Sequence, residues 1–307
     1  MPRDAMADEF LLLRENAEDA GLPWTTPPRV RREAATVNGR RVSAILWGDA
    51  PAEVVLLHGG AQNAHTWDTV ALALPRPVVA IDLPGHGRSE WRDDGDYAVA
   101  TMADDVADAI RAIAPSATTV VGIGLGAPVG LLVADRLGPS VARLVLIDSA
   151  SGVRATASPQ TATSSQAAQR VAAFTAHHRF ATLDEMIERT LVYSPGRSSR
   201  AVRRGVHHNA QQQDDGSWSW RWDPRQRGER DYAFAATAAA LTRFAGPILL
   251  VRGELSDIVT DELATAFATV HPDTELVTLI GAGHAVQGDR PVDLAQTLLA
   301  FVTRYDS

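Results

Sequence analysis

Five short stretches of this chain set reactive or polar residues directly behind a run of apolar ones. They are His58-Gly59-Gly60 after VVLL, Gly124 inside VVGIGLGAPVG, Asp148 after RLVLI, Asp257 in the loop that follows ILLV, and His284 in GAGH. An imidazole titrates near neutrality, and it becomes a useful general base once a carboxylate fixes its tautomer and steadies the imidazolium. The stretch around Gly124 reads as strand, tight turn and helix, which in the form G-x-S-x-G raises a serine hydroxyl into a cleft. Here glycine holds the central position. The sequence therefore marks a place for covalent chemistry and withholds the hydroxyl that would perform it.

The elements that must position these groups follow from patterning. Asn38-Gly39, between apolar-alternating runs at 32–37 and 41–47, predicts a hairpin because both residues accept positive φ. Continuous apolar runs at 53–58, 78–82, 143–148 and 248–251 have the character of strands buried on both faces of a parallel sheet. Helical periodicity between them, at 67–74, 97–114, 261–270 and 289–305, completes a strand–helix alternation. An α/β fold results, with a mainly parallel sheet, helices on both faces, and ligands expected at the strands' carboxyl ends. All five stretches fall on that edge.

The alternation breaks at 151–241, read as a helical cap or lid insertion into a core of 30–150 and 242–307, with 1–29 as an extension carrying a helix over about 5–20. Within the insertion, 155–169 is a small-polar tract, and Trp218, Trp220, Trp222, Phe174 and Phe180 supply either a pocket wall or the insertion's own core. The insertion holds 12 arginines against 8 acids, so its net +4 leaves −12 on the remainder of a chain of net charge −8. That balance disfavours nucleic acid as a partner and leaves room for an anionic small molecule. With no cysteine there is no disulfide, thiolate nucleophile or cysteine-bound metal. Neither a signal-peptide core nor a run long enough to span a membrane is present, so the expectation is a cytoplasmic protein acting on a small molecule without membrane contact. Oligomeric state is not readable.

Taken together, VVLLHGGAQNAHTW, AIDLPGHGRS, VVGIGLGAPVG, VRGELSDIV and GAGHAVQGDRP resemble the α/β-hydrolase superfamily, especially its capped, esterase-like and C–C-hydrolase-like actinobacterial members, over residues 30–307. The resemblance implies the chain order nucleophile, acid, histidine. It gives His284 the general-base role, Gly124 the nucleophile position, and Asp257 the orienting carboxylate, with Asp148 as rival acid. It also implies an oxyanion hole built from the Gly60 and Leu125 N–H groups, which depends on no side chain.

Other groups read more plainly. His58 and His86 sit in loops where imidazoles bond the backbone, and His207-His208 either touches substrate or rides a surface helix. A metal site needs a third ligand at recognisable spacing, and none is apparent, so no metal or cofactor is expected. The sequence leaves three readings open. One is a His/Asp acid–base enzyme acting on a small ester, lactone or ketone without a covalent serine intermediate, hydrolytic or else a lyase, epimerase or cyclase. The second is a serine hydrolase with a deliberately altered nucleophile, and the third is a pseudo-hydrolase that binds without turnover.

Overall fold

The computed structural model describes residues 9–154, 178–193, 197–227 and 233–306. After the short helix α1 (Leu13–Asp19) comes the hairpin β1 (Val30–Val37) and β2 (Arg40–Trp47), turned through Asn38 at φ 50° and Gly39 at φ 76°. The chain then alternates as expected. It runs β3 (Val54–Leu57), α2 (Asp68–Ala73), β4 (Val78–Ile81), α3 (Val99–Ile113), β5 (Thr119–Ile123), α4 (Gly126–Leu137) and β6 (Arg143–Ile147).

The insertion contributes β7 (Arg179–Phe180), α5 (Leu183–Tyr193), α6 (Ser199–Asn209), β8 (Ala210–Gln212) and β9 (Trp218–Trp220). The core resumes with α7 (Phe234–Arg243), β10 (Ile248–Gly253), α8 (Asp261–Val270), β11 (Thr274–Leu279), α9 (Val286–Asp289) and α10 (Pro291–Arg304).

Eight strands form one sheet in the order β1-β2-β4-β3-β5-β6-β10-β11, with β1–β2 and β2–β4 antiparallel and every later pairing parallel. Because successive strand residues point to opposite faces, the central strands feed two separate cores. Val55, Leu57, Val120, Leu144, Leu146 and Leu250 pack against α3, α4, α7 and α8. Their neighbours Val54, Leu56, Val121, Val145, Ile147 and Leu249 pack against α2, α9 and α10 on the other face. Burying one such side chain contributes roughly 1.5–3 kcal/mol, against at most about 1 kcal/mol for a surface ion pair. The apolar runs therefore fix where the strands end, and with them the site.

Two expectations are revised. The insertion, read as helical, also holds a three-stranded antiparallel sheet in the order β7-β9-β8, its last hairpin closed through Gln213 and Gly216. Ala240 and Leu241, assigned to the insertion, are buried in the core with α4, because α7 is a core helix. The tract 155–169 and Phe174 lie outside the described residues. Among the described residues no helix is long and apolar enough to cross a membrane.

Candidate active site

The turn between β5 and α4 places Gly124 at φ 53°, a left-handed conformation that glycine adopts without strain. A Cβ at this position would lie 3.6 Å from His284 Nε2 and 3.5 Å from Gly59 Cα, ordinary contacts that leave room for a small side chain. The flanking glycines differ. A Cβ on Gly126 would overlap the Leu57 carbonyl oxygen, and one on Gly122 would overlap the Gly126 carbonyl oxygen. These two are fixed by the close approach of helix to sheet, whereas position 124 is open.

His284 reaches the same point from the loop after β11. Its Nδ1–H donates to Asp148 Oδ2 at 2.7 Å, which leaves the Nε2 lone pair facing Gly124. Asp148 is fully buried, while the imidazole is 29% exposed on the open side of the site. The preference for Asp257 is thus corrected, since the carboxylate in contact with His284 is Asp148. The reason is sheet order. Strand β6 lies beside β5, with Ile147 paired to Ile123, so the residue after β6 stands level with the turn at Gly124. Asp257 lies on the exposed part of the loop after β10.

That loop instead sends Ser256, which sequence reasoning passed over, to donate its hydroxyl to Asp148 Oδ2 at 2.5 Å. Asp148 itself adopts φ 46° and donates its N–H to Val251 O at 2.7 Å. A non-glycine residue in that region costs on the order of 1–3 kcal/mol and is held there by its surroundings.

Gly60 and Leu125 are neighbours, a Cβ on Gly60 lying 3.9 Å from Leu125 Cβ. Among the described residues neither N–H donates to a protein acceptor. The adjoining loop is braced on all sides. His58 donates Nδ1–H to Gly59 O at 2.7 Å and accepts from Leu83 N at 3.0 Å; His86 Nε2 accepts from Ala61 N at 3.2 Å. From the insertion, Asn209 Nδ2 donates to Ala61 O at 2.7 Å and its Oδ1 accepts from Asn63 at 3.2 Å. Asp82 accepts from the Ala64 and Arg88 N–H groups and from Arg32. Burial works to raise the Asp82 carboxyl, but Arg32 and these amides outweigh it and hold it below the usual carboxylate range.

Burial pushes His86 down to about 3, and His58 is lowered for the same reason. Both are neutral bracing groups. The unfolded chain binds protons on these imidazoles below about 6.5 while the folded chain does not, so their contribution to stability is present above that pH and lost on acidification toward 3. Asp68, raised by burial to about 7, works in the opposite direction, and it is outnumbered by the lowered histidines. The unfolding free energy from urea melts is therefore expected to fall between pH 7 and pH 5, by up to about 1.4 kcal/mol per pH unit for each such histidine, and the urea midpoint with it. His86→Gln should lessen that slope, and a midpoint independent of pH would contradict neutral burial.

The remaining candidates sit elsewhere. Trp220 and Trp222, 1% and 2% exposed, form the insertion's own core with Phe180, Met186 and Val206, and Trp218 packs on its edge. The pocket-wall expectation for Trp218 and Trp220 gives way to that packing. Arg179, Arg197, Arg203, Arg204 and Arg225 each pair with a carboxylate, which occupies much of the insertion's positive charge. His207 is exposed, whereas His208 turns inward and stacks on His65.

A family model described as alpha/beta hydrolase family matches residues 54–297. The chain belongs to that family. It is 37% identical over 303 residues to the esterase Rv0045c of Mycobacterium tuberculosis, covering 92% of each chain. A crystal structure of that esterase superposes with a TM-score of 0.82 over 96% of this chain and 98% of that one, at 36% identity. The chain is also similar to a 3-hydroxybutyrate-oligomer hydrolase of Cupriavidus necator, 29% identical over 269 residues that cover 81% of this chain and 88% of that protein. This α/β-hydrolase is accordingly esterase-like in both sequence and fold.

Proposed function

We propose that the chain hydrolyses a small carboxylic ester or lactone by His284–Asp148 general acid–base chemistry, with water in place of a serine nucleophile. The observation that carries this reading is the His284 Nε2 lone pair facing the open space at Gly124, with Asp148 behind the ring at 2.7 Å. A water above Gly124 attacks the carbonyl carbon and passes a proton to Nε2. The carbonyl oxygen takes up the negative charge beside the Gly60 and Leu125 N–H groups. Collapse then breaks the bond to the alkoxy oxygen, which receives the Nε2 proton, giving a carboxylic acid and an alcohol. One preorganised donor of this kind contributes on the order of 10²- to 10³-fold in rate, and a positioned base a further 10²- to 10⁴-fold. Names of the relatives, an esterase and a hydrolase of 3-hydroxybutyrate oligomers, support ester substrates.

The missing hydroxyl at residue 124 favours a second reading, a pocket that binds a carbonyl compound and releases it unchanged. Mass spectrometry of a panel of short-chain esters and lactones after incubation separates the two. The expected result is hydrolysis by the natural chain and none by His284→Ala. Equal turnover by that variant would overturn the mechanism, and no turnover by the natural chain would favour the binding reading.

A further inference from the structure

Away from the catalytic pair, the insertion and core meet at a second cluster of polar groups. His65 belongs to a 3-10 turn at Ala64–Trp67, and Asp68 opens α2 directly after it, while His208 comes from the last turn of α6 in the insertion. One donor atom from each of the three lies within 4.8 Å of the other two. His65 Nδ1 is 2.9 Å from Asp68 Oδ2, and the His65 and His208 rings stack with centroids 3.8 Å apart. The His65 and Asp68 side chains are only 6% and 2% exposed.

Two atoms of this cluster, Asp68 Oδ1 and His208 Nε2, are buried with no hydrogen-bond partner among the described residues. Unsatisfied buried polar atoms cost about 1–3 kcal/mol each and call for a reason. We infer that His65, Asp68 and His208 bind a divalent transition-metal ion of the zinc class, which fastens α6 of the insertion to the start of α2.

Two imidazoles and a carboxylate are the donor set that borderline ions such as Zn²⁺ and Co²⁺ prefer, and the calcium class, which takes oxygen, does not. Metal–ligand bonds near 2.1 Å put tetrahedral ligand atoms about 3.4 Å apart, so the His208 ring must leave its stack and close on the His65–Asp68 pair. Arg32 lies on the far side of His65, 3.4 Å from Nε2, and its charge is already met by Asp82 at 2.7 Å and Glu9 at 2.8 Å. Asp68 is therefore the carboxylate of this cluster that Arg32 does not already occupy.

The site is independent of the hydrolytic mechanism, and metal binding itself tests it. Chelator-stripped protein is titrated with Zn²⁺ by calorimetry and with Co²⁺ by visible absorption. The expected result is one tight equivalent and tetrahedral Co²⁺ bands in the natural chain. Asp68→Asn and His208→Gln should each weaken binding by at least about 100-fold, beyond the 10- to 100-fold typical of losing an outer-shell partner. His207→Ala and His284→Ala should bind as the natural chain does. Circular dichroism and metal-free melting confirm that each variant is folded. Absence of binding by the natural chain, undiminished binding by Asp68→Asn and His208→Gln, or loss on His284→Ala would each overturn the assignment. The first of these would indicate a cluster that holds a proton between His65 and Asp68 in place of a metal.

Discussion

Gly124→Ser is expected to turn a chain that fluorophosphonates leave unmarked into one labelled at residue 124, with hydrolysis of activated esters raised by at least about 10³-fold. A Cβ at this position sits 3.6 Å from His284 Nε2, so a hydroxyl one bond further can reach the imidazole in one rotamer and a bound carbonyl in another. The base, its carboxylate and the free N–H pair are already assembled, so the substitution restores one atom to a preorganised site. Losing a nucleophilic serine costs a serine hydrolase on the order of 10⁶ in kcat, so a gain of 10³ asks for only part of that machinery. Serine at positive φ should cost about 1–2 kcal/mol of stability, which leaves the fold intact. Mass mapping of the adduct gives the readout. His284→Ala in the same background should remove labelling, and a folded Gly124→Ser protein that stays unlabelled would show that the N–H pair and His284 do not act on one carbonyl.

Asp148→Asn, measured in the Gly124→Ser background, should lower kcat/KM by on the order of 10²- to 10⁴-fold, while Asp257→Asn should leave it within about twofold. An amide at residue 148 can present N–H to His284 Nδ1, which favours the tautomer whose proton sits on Nε2, and it lacks the charge that steadies the imidazolium. Asparagine also tolerates the left-handed backbone found at φ 46°, so the loss is one of chemistry more than of folding. Asp257 lies on an exposed loop and is not the carboxylate in contact with His284. The opposite ranking would return the orienting role to Asp257.

The strand ends were legible because each is the end of an apolar run, and burial on both faces leaves such runs few alternatives. Choosing the acid was a different problem. Asp148 and Asp257 both follow apolar strands, and only the spatial order β5-β6-β10, which chain order does not reveal, sets the first beside Gly124 and the second farther out. The role of Ser256 was hidden for the same reason, since its partner lies 108 residues away. Strands of two and three residues in the insertion are too short to show a period, so only helices were read there. The tryptophans signalled a cluster without saying whether it faced inward. His65 and Asp68 are three apart, a spacing too common to notice, and His208 joins them only through the packing of the insertion.

The insertion keeps an apolar core of its own, to which, among the described residues, the hydrolase core lends Ala61. Much of what fastens the two together is polar: Asn209 to Ala61, Arg197 to Asp289, and Arg204 to Glu15 and Asp19 of α1. Directional bonds of this sort fix position well while contributing little free energy, and ionic strength weakens the charged ones. Asn209 reaches from the insertion to the Ala61 carbonyl, one residue from Gly60, so the position of the Gly60 N–H depends on how the insertion is seated.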